Sequence, residues 1–141
     1  SKAWGMAGIR LGMAFASQEI IKVLSRIKYP YNLNILTQKK ALELIEHEET
    51  TKQWIQALLN ERDALTTQVK SLPFVEKVYP TDANFILIKT AEANKIYQYL
   101  VDKKIIIRDR SGVSLCAGCL RITVGSPSEN KILMEALKTF A

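Results

Sequence analysis

One histidine and two cysteines stand among 141 residues, too few for an ordinary zinc centre, which takes about four nitrogen or sulfur ligands. His47 sits in the charged run Glu46-His47-Glu48-Glu49, a solvated setting, and Cys116 and Cys119 form a C-x-x-C with no second copy. A thioredoxin-like pair belongs at a strand-to-helix turn, whereas this one runs directly into the strand-like Leu120-Arg121-Ile122-Thr123-Val124. No metal site is expected, and the cysteines read as two reduced structural thiols. No apolar run approaches the ~20 residues needed to span a bilayer. No charged region followed by an apolar stretch and a cleavage site opens the chain, so a cytoplasmic location is the expectation. Lysine and arginine number 20 against 14 acidic residues, a net charge of +6, but they pair only at Lys39-Lys40 and Lys103-Lys104. Nucleic acid wants a basic patch or stripe, so scattered cations read as a solvated surface with some positive excess left for small anions. There is no internal repeat, low-complexity tract or long linker.

What is present reads as three regions. Ile9 to Phe15 is strand-like, and Ile20, Ile21, Val23, Leu24 and Ile27 then recur at helical spacing until Tyr29-Pro30-Tyr31-Asn32 stops them. From Ile35 to Leu72 the pattern is helical, broken near His47 to Thr50. Thr50 and Gln53 have capping-box spacing, and Trp54, Ile55, Leu58, Leu59, Leu65, Val69 and Leu72 form an apolar stripe that Pro73 ends. From Phe74 strands alternate with helices: strands at Val75 to Val78, Asn84 to Ile88, Ile105 to Ile107 and Leu120 to Val124, and a helix from Ala91 to Asp102 with Ile96, Leu100 and Val101 inward. Ser126, Pro127 and Glu129 supply a cap, a first-turn proline and a cap partner for a last helix, which would bury Ile132, Leu133, Ala136, Leu137 and Phe140. The sum is an α/β chain with a small α/β domain at its end.

The chemistry gathers in Ser1-Lys2-Ala3-Trp4-Gly5-Met6-Ala7-Gly8-Ile9-Arg10-Leu11-Gly12. A lysine amine forms a Schiff base with an aldehyde once its pKa is lowered, and glycines let the backbone approach a bulky group. Arg10 offers a planar fork of donors to a phosphate. An aldehyde and a phosphate together describe pyridoxal 5'-phosphate. The stretch resembles the active-site lysine segment of fold-type-I pyridoxal-phosphate aminotransferases, closest to the histidinol-phosphate aminotransferase pattern S-K-A-x-G-L-A-G-x-R-x-G.

The resemblance covers essentially the whole chain. In that family the lysine lies past the middle of a chain more than twice as long, so the sequence looks like a C-terminal part. Residues 1–34 would end the large cofactor domain, 35–72 form an interdomain helical segment with a long connecting helix, and 73–141 make the small domain. The resemblance implies that Lys2 is catalytic and that Ser1, Lys2 and Arg10 bind the cofactor. The family's upstream groups are not here: an aromatic stacked on the pyridine ring, an asparagine near its hydroxyl and an aspartate on its ring nitrogen. A piece inactive by itself is therefore expected.

Two further arginines are charges delivered by apolar segments: Arg108 after Ile105 to Ile107, and Arg121 inside Leu120 to Val124. Buried-type charges are costly unless paired, and an ion pair of Arg121 with Asp109 or Glu129 is one reading. The other comes from the resemblance of Ile106-Ile107-Arg108-Asp109 and Cys119-Leu120-Arg121-Ile122-Thr123-Val124-Gly125 to family segments. There the second arginine binds the substrate's anionic group and the first assists with the substrate phosphate. Tyr29-Pro30-Tyr31-Asn32-Leu33-Asn34 resembles the family's P-x-N-x-N segment, which places Asn32 near the site. Thr81-Asp82-Ala83-Asn84-Phe85 resembles its S-x-A-N-F segment, where Asn84 reads as a structural, backbone-bonding residue.

The function implied is transamination between histidinol phosphate and glutamate or 2-oxoglutarate, in histidine biosynthesis, by a homodimer with sites at the subunit interface. The rivals are a related aminotransferase for aromatic amino acids, a threonine-phosphate decarboxylase and, from another class, a non-catalytic folded module.

Overall fold

The computed structural model describes residues 4–140, and the chain divides into two compact units, residues 1–55 and 56–141. None of its helices, among the described residues, is long and apolar enough to cross a membrane.

The first unit holds a 3-10 turn, Ala7–Ile9, the helices α1 (Gln18–Ile27) and α2 (Ile35–Ile45), and the start of α3 (Glu48–Lys70). The strand expected from Ile9 to Phe15 is not formed. Ile9 closes the 3-10 turn and residues 11–17 carry no regular structure. A strand needs a neighbour for its N–H and C=O groups, and the described residues of this unit contain no other strand. The helix at α1 is where the spacing places it, yet Ile20, Ile21, Val23, Leu24 and Ile27 are all exposed.

Asn34 caps α2, its Oδ1 accepting the Thr37 N–H at 2.8 Å. The break before α3 falls at residues 46–47, so Thr50 lies within the first turn and is not the cap that its spacing with Gln53 suggested. Two acidic residues take over that end: Glu48 and Glu49 occupy the first turn, where negative charge suits the helix dipole, and both pair with Lys52.

The second unit is a four-stranded antiparallel sheet with helices packed on one face. Its strands are β1 (Lys77–Val78), β2 (Phe85–Lys89), β3 (Arg108–Asp109) and β4 (Cys119–Thr123), in the order β1-β2-β4-β3. The helices are α4 (Ala93–Asp102), α5 (Pro127–Phe140) and the end of α3. Side chains alternate across a strand, so Ile86 and Ile88 of β2 and Leu120 and Ile122 of β4 point to one side and are fully buried. They meet Leu65 and Val69 from α3, Ile96 and Leu100 from α4, and Leu133 and Leu137 from α5. The stripe read along α3 is thus core at its C-terminal end, while Trp54 and Ile55 stay exposed.

Three expectations are corrected here. The first strand is shorter than Val75 to Val78, pairing only at Lys77 and Val78. Ile132 does not join the α5 core: it is 56% exposed. Ile105 to Ile107 is not a strand either, because the end of α4 consumes its first residue. Lys104 adopts the left-handed conformation, φ 64°, its N–H donates to Val101 O at 2.9 Å, and the Ile105 N–H reaches back to Leu100 O at 2.8 Å. That is a Schellman ending with lysine where glycine is usual, and pairing starts only at Arg108.

The cap read for the last helix is in place. The Ser126 N–H donates to Glu129 Oε2 at 2.7 Å and the Glu129 N–H donates to Ser126 Oγ at 3.4 Å. The Ser126 hydroxyl and then its N–H hold the Glu129 carboxyl below the ordinary carboxylate value of 4.5. A lowered pKa means the stabilising contact is complete above that ordinary value and is lost as pH falls through the lowered one. We expect Ser126→Ala to cost about 1 kcal/mol in urea unfolding at neutral pH, with the difference from wild type shrinking in acid.

Candidate functional site

In the first unit the candidate side chain among the described residues is Arg10. It ends the Ala7–Ile9 turn in the left-handed conformation, φ 57° and ψ 33°, which a non-glycine residue adopts at a cost. Ala7 O holds it there, accepting the Arg10 N–H at 3.3 Å and Nη1 at 3.1 Å. The Thr37 hydroxyl donates to the preceding carbonyl, Ile9 O, at 3.1 Å, so the capped start of α2 pins the turn. The guanidinium is otherwise exposed. Asn32 is exposed on the loop before α2, while Asn34, two residues on, is the cap. Ser1 and Lys2 lie outside the described residues.

The second unit brings Arg108 and Arg121 together. They are directly opposite each other in the β3–β4 ladder, and Leu87 is opposite Arg121 on its other side. Cross-strand partners share a face, so both guanidinium groups stand on the face away from the buried isoleucines and Leu120. Like charges so placed repel each other. Neither is neutralised by its neighbours: the ion pairs among the described residues use Lys40, Lys52, Arg62, Lys95 and Lys131.

The acids suggested as partners of Arg121 are engaged elsewhere, Asp109 accepting the Ser111 N–H at 2.8 Å and Glu129 serving the α5 cap. Arg121 Nε is buried and has no hydrogen-bond partner. Its guanidinium carbon lies 5.1 Å from the centre of the Phe85 ring.

The same face is cationic beyond these two. Lys77 is opposite Lys89 and Lys89 opposite Cys119, and the Arg110 N–H continues the ladder by donating to Cys119 O at 2.8 Å. No acidic residue occupies a ladder position on this face. Such a surface raises the local concentration of anions. Arg110 and Phe85 were not singled out from sequence. The i, i+2 spacing of Arg108-Asp109-Arg110 would have flagged the first, but only the strand register reveals the second.

The cysteines build a turn. The Cys119 N–H donates to Cys116 O at 2.9 Å, and both thiols are free, Cys119 buried. Gly118 packs so close to Thr90 that a Cβ would stand 2.7 Å from its carbonyl oxygen. Burial, then the Cys119 thiol, pushes the Tyr79 phenol upward. Asn84 O accepts the Val124 N–H at 3.0 Å, a backbone link between the ends of β2 and β4.

Comparison with known proteins places this geometry in a family. The family model for aminotransferase class I and II matches residues 1–137. A histidinol-phosphate aminotransferase of Parabacteroides distasonis is 56% identical over 138 residues, 98% of this chain and 40% of that protein. The chain thus spans about 40% of the length of the curated relatives it matches. Among solved structures, the histidinol-phosphate aminotransferase from Clostridium acetobutylicum superposes with a TM-score of 0.90 at 22% identity, over 98% of this chain and 42% of that one. The enzyme from Sinorhizobium meliloti in complex with pyridoxal-5'-phosphate gives 0.86 at 21% identity, over the whole of this chain and 40% of that one. At such identities these two establish the fold.

Proposed function

The chain belongs to the class I and II aminotransferases, and on that premise we propose that it carries the lysine and the substrate-binding arginines of an enzyme exchanging an amino group between L-histidinol phosphate and 2-oxoglutarate. The observation that carries this reading is the pair Arg108 and Arg121, opposed on one cationic sheet face and in no ion pair among the described residues. Both substrates are anions, and the name of the Parabacteroides relative supports histidinol phosphate as one of them. Residues 1–34, 35–72 and 73–141 act in this reading as the end of a large domain, a connecting segment and a small domain. A cytoplasmic homodimer belongs to the same proposal.

The donor set fits pyridoxal phosphate at its phosphate end. The bond to Ala7 engages one of the five N–H donors of Arg10, and positions 5, 8 and 12 have open space where a Cβ would stand. When bound, that cofactor supplies an electron sink beside the substrate's α-carbon. With the cofactor bound, Ser1 and Arg10 would hold its phosphate and Lys2 its aldehyde end, and the Lys2 amine would carry a proton to and from the substrate's α-carbon. Arg121 holds the anionic group of the amino acid, and Arg108 assists with the phosphate of histidinol phosphate. One pair of forks serves the anionic groups of the substrates in both half-reactions.

The test is turnover by a protein of the relatives' full length carrying this chain, supplied with pyridoxal phosphate. We expect glutamate to appear from 2-oxoglutarate in proportion to histidinol phosphate consumed. Efficient use of aromatic amino acids with none of histidinol phosphate would assign the chain to the aromatic branch instead, and release of carbon dioxide from threonine phosphate to the decarboxylases.

A further inference from the structure

We infer that Phe85 is the positioning residue for Arg121: its ring is the platform that sets the plane of the guanidinium on the cationic sheet face. A guanidinium that has to meet a carboxylate or phosphate with two parallel hydrogen bonds must be held in plane before the anion arrives. Arginines are usually held by an acid or a carbonyl. Here Nε is buried with no hydrogen-bond partner and Arg121 is in no ion pair among the described residues. What it does have is the aromatic face, 5.1 Å from Cζ to the ring centre. Phe85 pairs with Thr123 and Leu87 with Arg121, so Phe85 is the diagonal neighbour of Arg121, within reach of an aromatic side chain. A weakly hydrated, planar guanidinium stacks on such a face more readily than an ammonium does.

The backbone that carries the ring is itself held in place. The Thr81 hydroxyl donates to Phe85 O at 2.9 Å and accepts the Ala83 N–H at 3.1 Å. The Val124 N–H donates to Asn84 O at 3.0 Å, and Arg62 Nη1 reaches Ala83 O at 3.5 Å. Thr81 in the loop before β2, Val124 just after β4 and Arg62 of α3 therefore tie down the backbone of residues 83 to 85. This gives the Thr81-Asp82-Ala83-Asn84-Phe85 segment a purpose: its backbone bonds aim one ring. Phe85 touches no substrate atom in this assignment and acts through Arg121.

This inference rests on the reading of Arg121 as an anion contact, and the experiment separates the two. The probes are glutarate and inorganic phosphate, titrated into the chain while the Arg121 Nε–Hε resonance and side-chain protons are followed by NMR. In the wild type the Arg121 protons lie upfield through the ring current of Phe85 and move on addition of probe. In Phe85→Leu the upfield displacement vanishes and glutarate binds about threefold to tenfold more weakly, while Phe85→Tyr restores both. Amide shifts of β2 and β4 report whether the leucine variant keeps its sheet. If it does not, Phe85→Trp replaces it, with binding expected at least as tight as wild type. Absence of the ring-current displacement in the wild type, or equal binding by the leucine variant, overturns the role of Phe85. A probe that leaves Arg121 unmoved in every variant, while the displacement is present, overturns instead the reading of Arg121 as the anion contact.

Discussion

Lys2→Ala is expected to leave the chain folded and to remove borohydride-dependent attachment of pyridoxal phosphate, and in a full-length enzyme to lower kcat by about 10⁴-fold. The fold is expected to survive because the core of the second unit is assembled from Leu65 onward, far along the chain from position 2. The chemistry does not survive, because a methyl group offers neither an amine to the aldehyde nor a base to the α-carbon. Absorbance spectra with added pyridoxal phosphate, with and without borohydride, give the readout for the 141-residue chain. A saturable band that depends on Lys2 shows that the chain captures the cofactor through that amine. A band unchanged by the substitution assigns the capture to another amine and removes Lys2 from the proposed mechanism.

Much of the second unit is legible in the sequence, and the reason is local. Ser126-Pro127-Ser128-Glu129 specifies its cap within four residues, and the capping bonds form as read. The strands β2 and β4 fall within a residue of their apolar alternation, because one face of each is buried completely and a one-residue slip would expose it. The misreadings have a common source in groups supplied from elsewhere in the chain. Ile105 looks like the start of a strand until the C-terminus of α4 claims its N–H. Thr50 looks like a cap until two glutamates begin the helix earlier. Ile9 to Phe15 has strand composition and no strand beside it among the described residues. The stripe of α1 is plain from its spacing, but nothing in a stripe says what covers it, and here its residues are exposed. The candidate site divides in the same way. Arg108 and Arg121 are visible as charges in apolar segments, whereas their opposition across a ladder, and the ring beneath one of them, follow from register, which the twelve intervening residues do not encode in any local pattern.

Arg121→Met is expected to separate function from stability, because the two readings of this residue predict opposite outcomes. Were Arg121 half of a structural ion pair, removing it would leave the partner carboxylate unpaired and lower stability. In the structure Asp109 and Glu129 have other partners, and the side chain opposite Arg121 is another arginine. Removing one of two opposed cations relieves repulsion, and methionine keeps the apolar stem packed over Phe85. Thermal unfolding should therefore shift little or upward. Substrate binding should suffer, since losing a charge-assisted fork from a desolvated site costs about 3 kcal/mol, or about a hundredfold in kcat/KM for glutamate. Arg108→Met should cost less, about tenfold, because Arg108 is exposed and water screens what it contributes. The double variant is the sharper measurement. If both forks hold one anion, as histidinol phosphate requires in this reading, their losses couple and the double variant falls short of the product of the singles. If each serves a different group, the losses multiply. Unfolding that drops by several kcal/mol in Arg121→Met would return the residue to a structural role and leave Arg108 as the one of the pair that meets the anion.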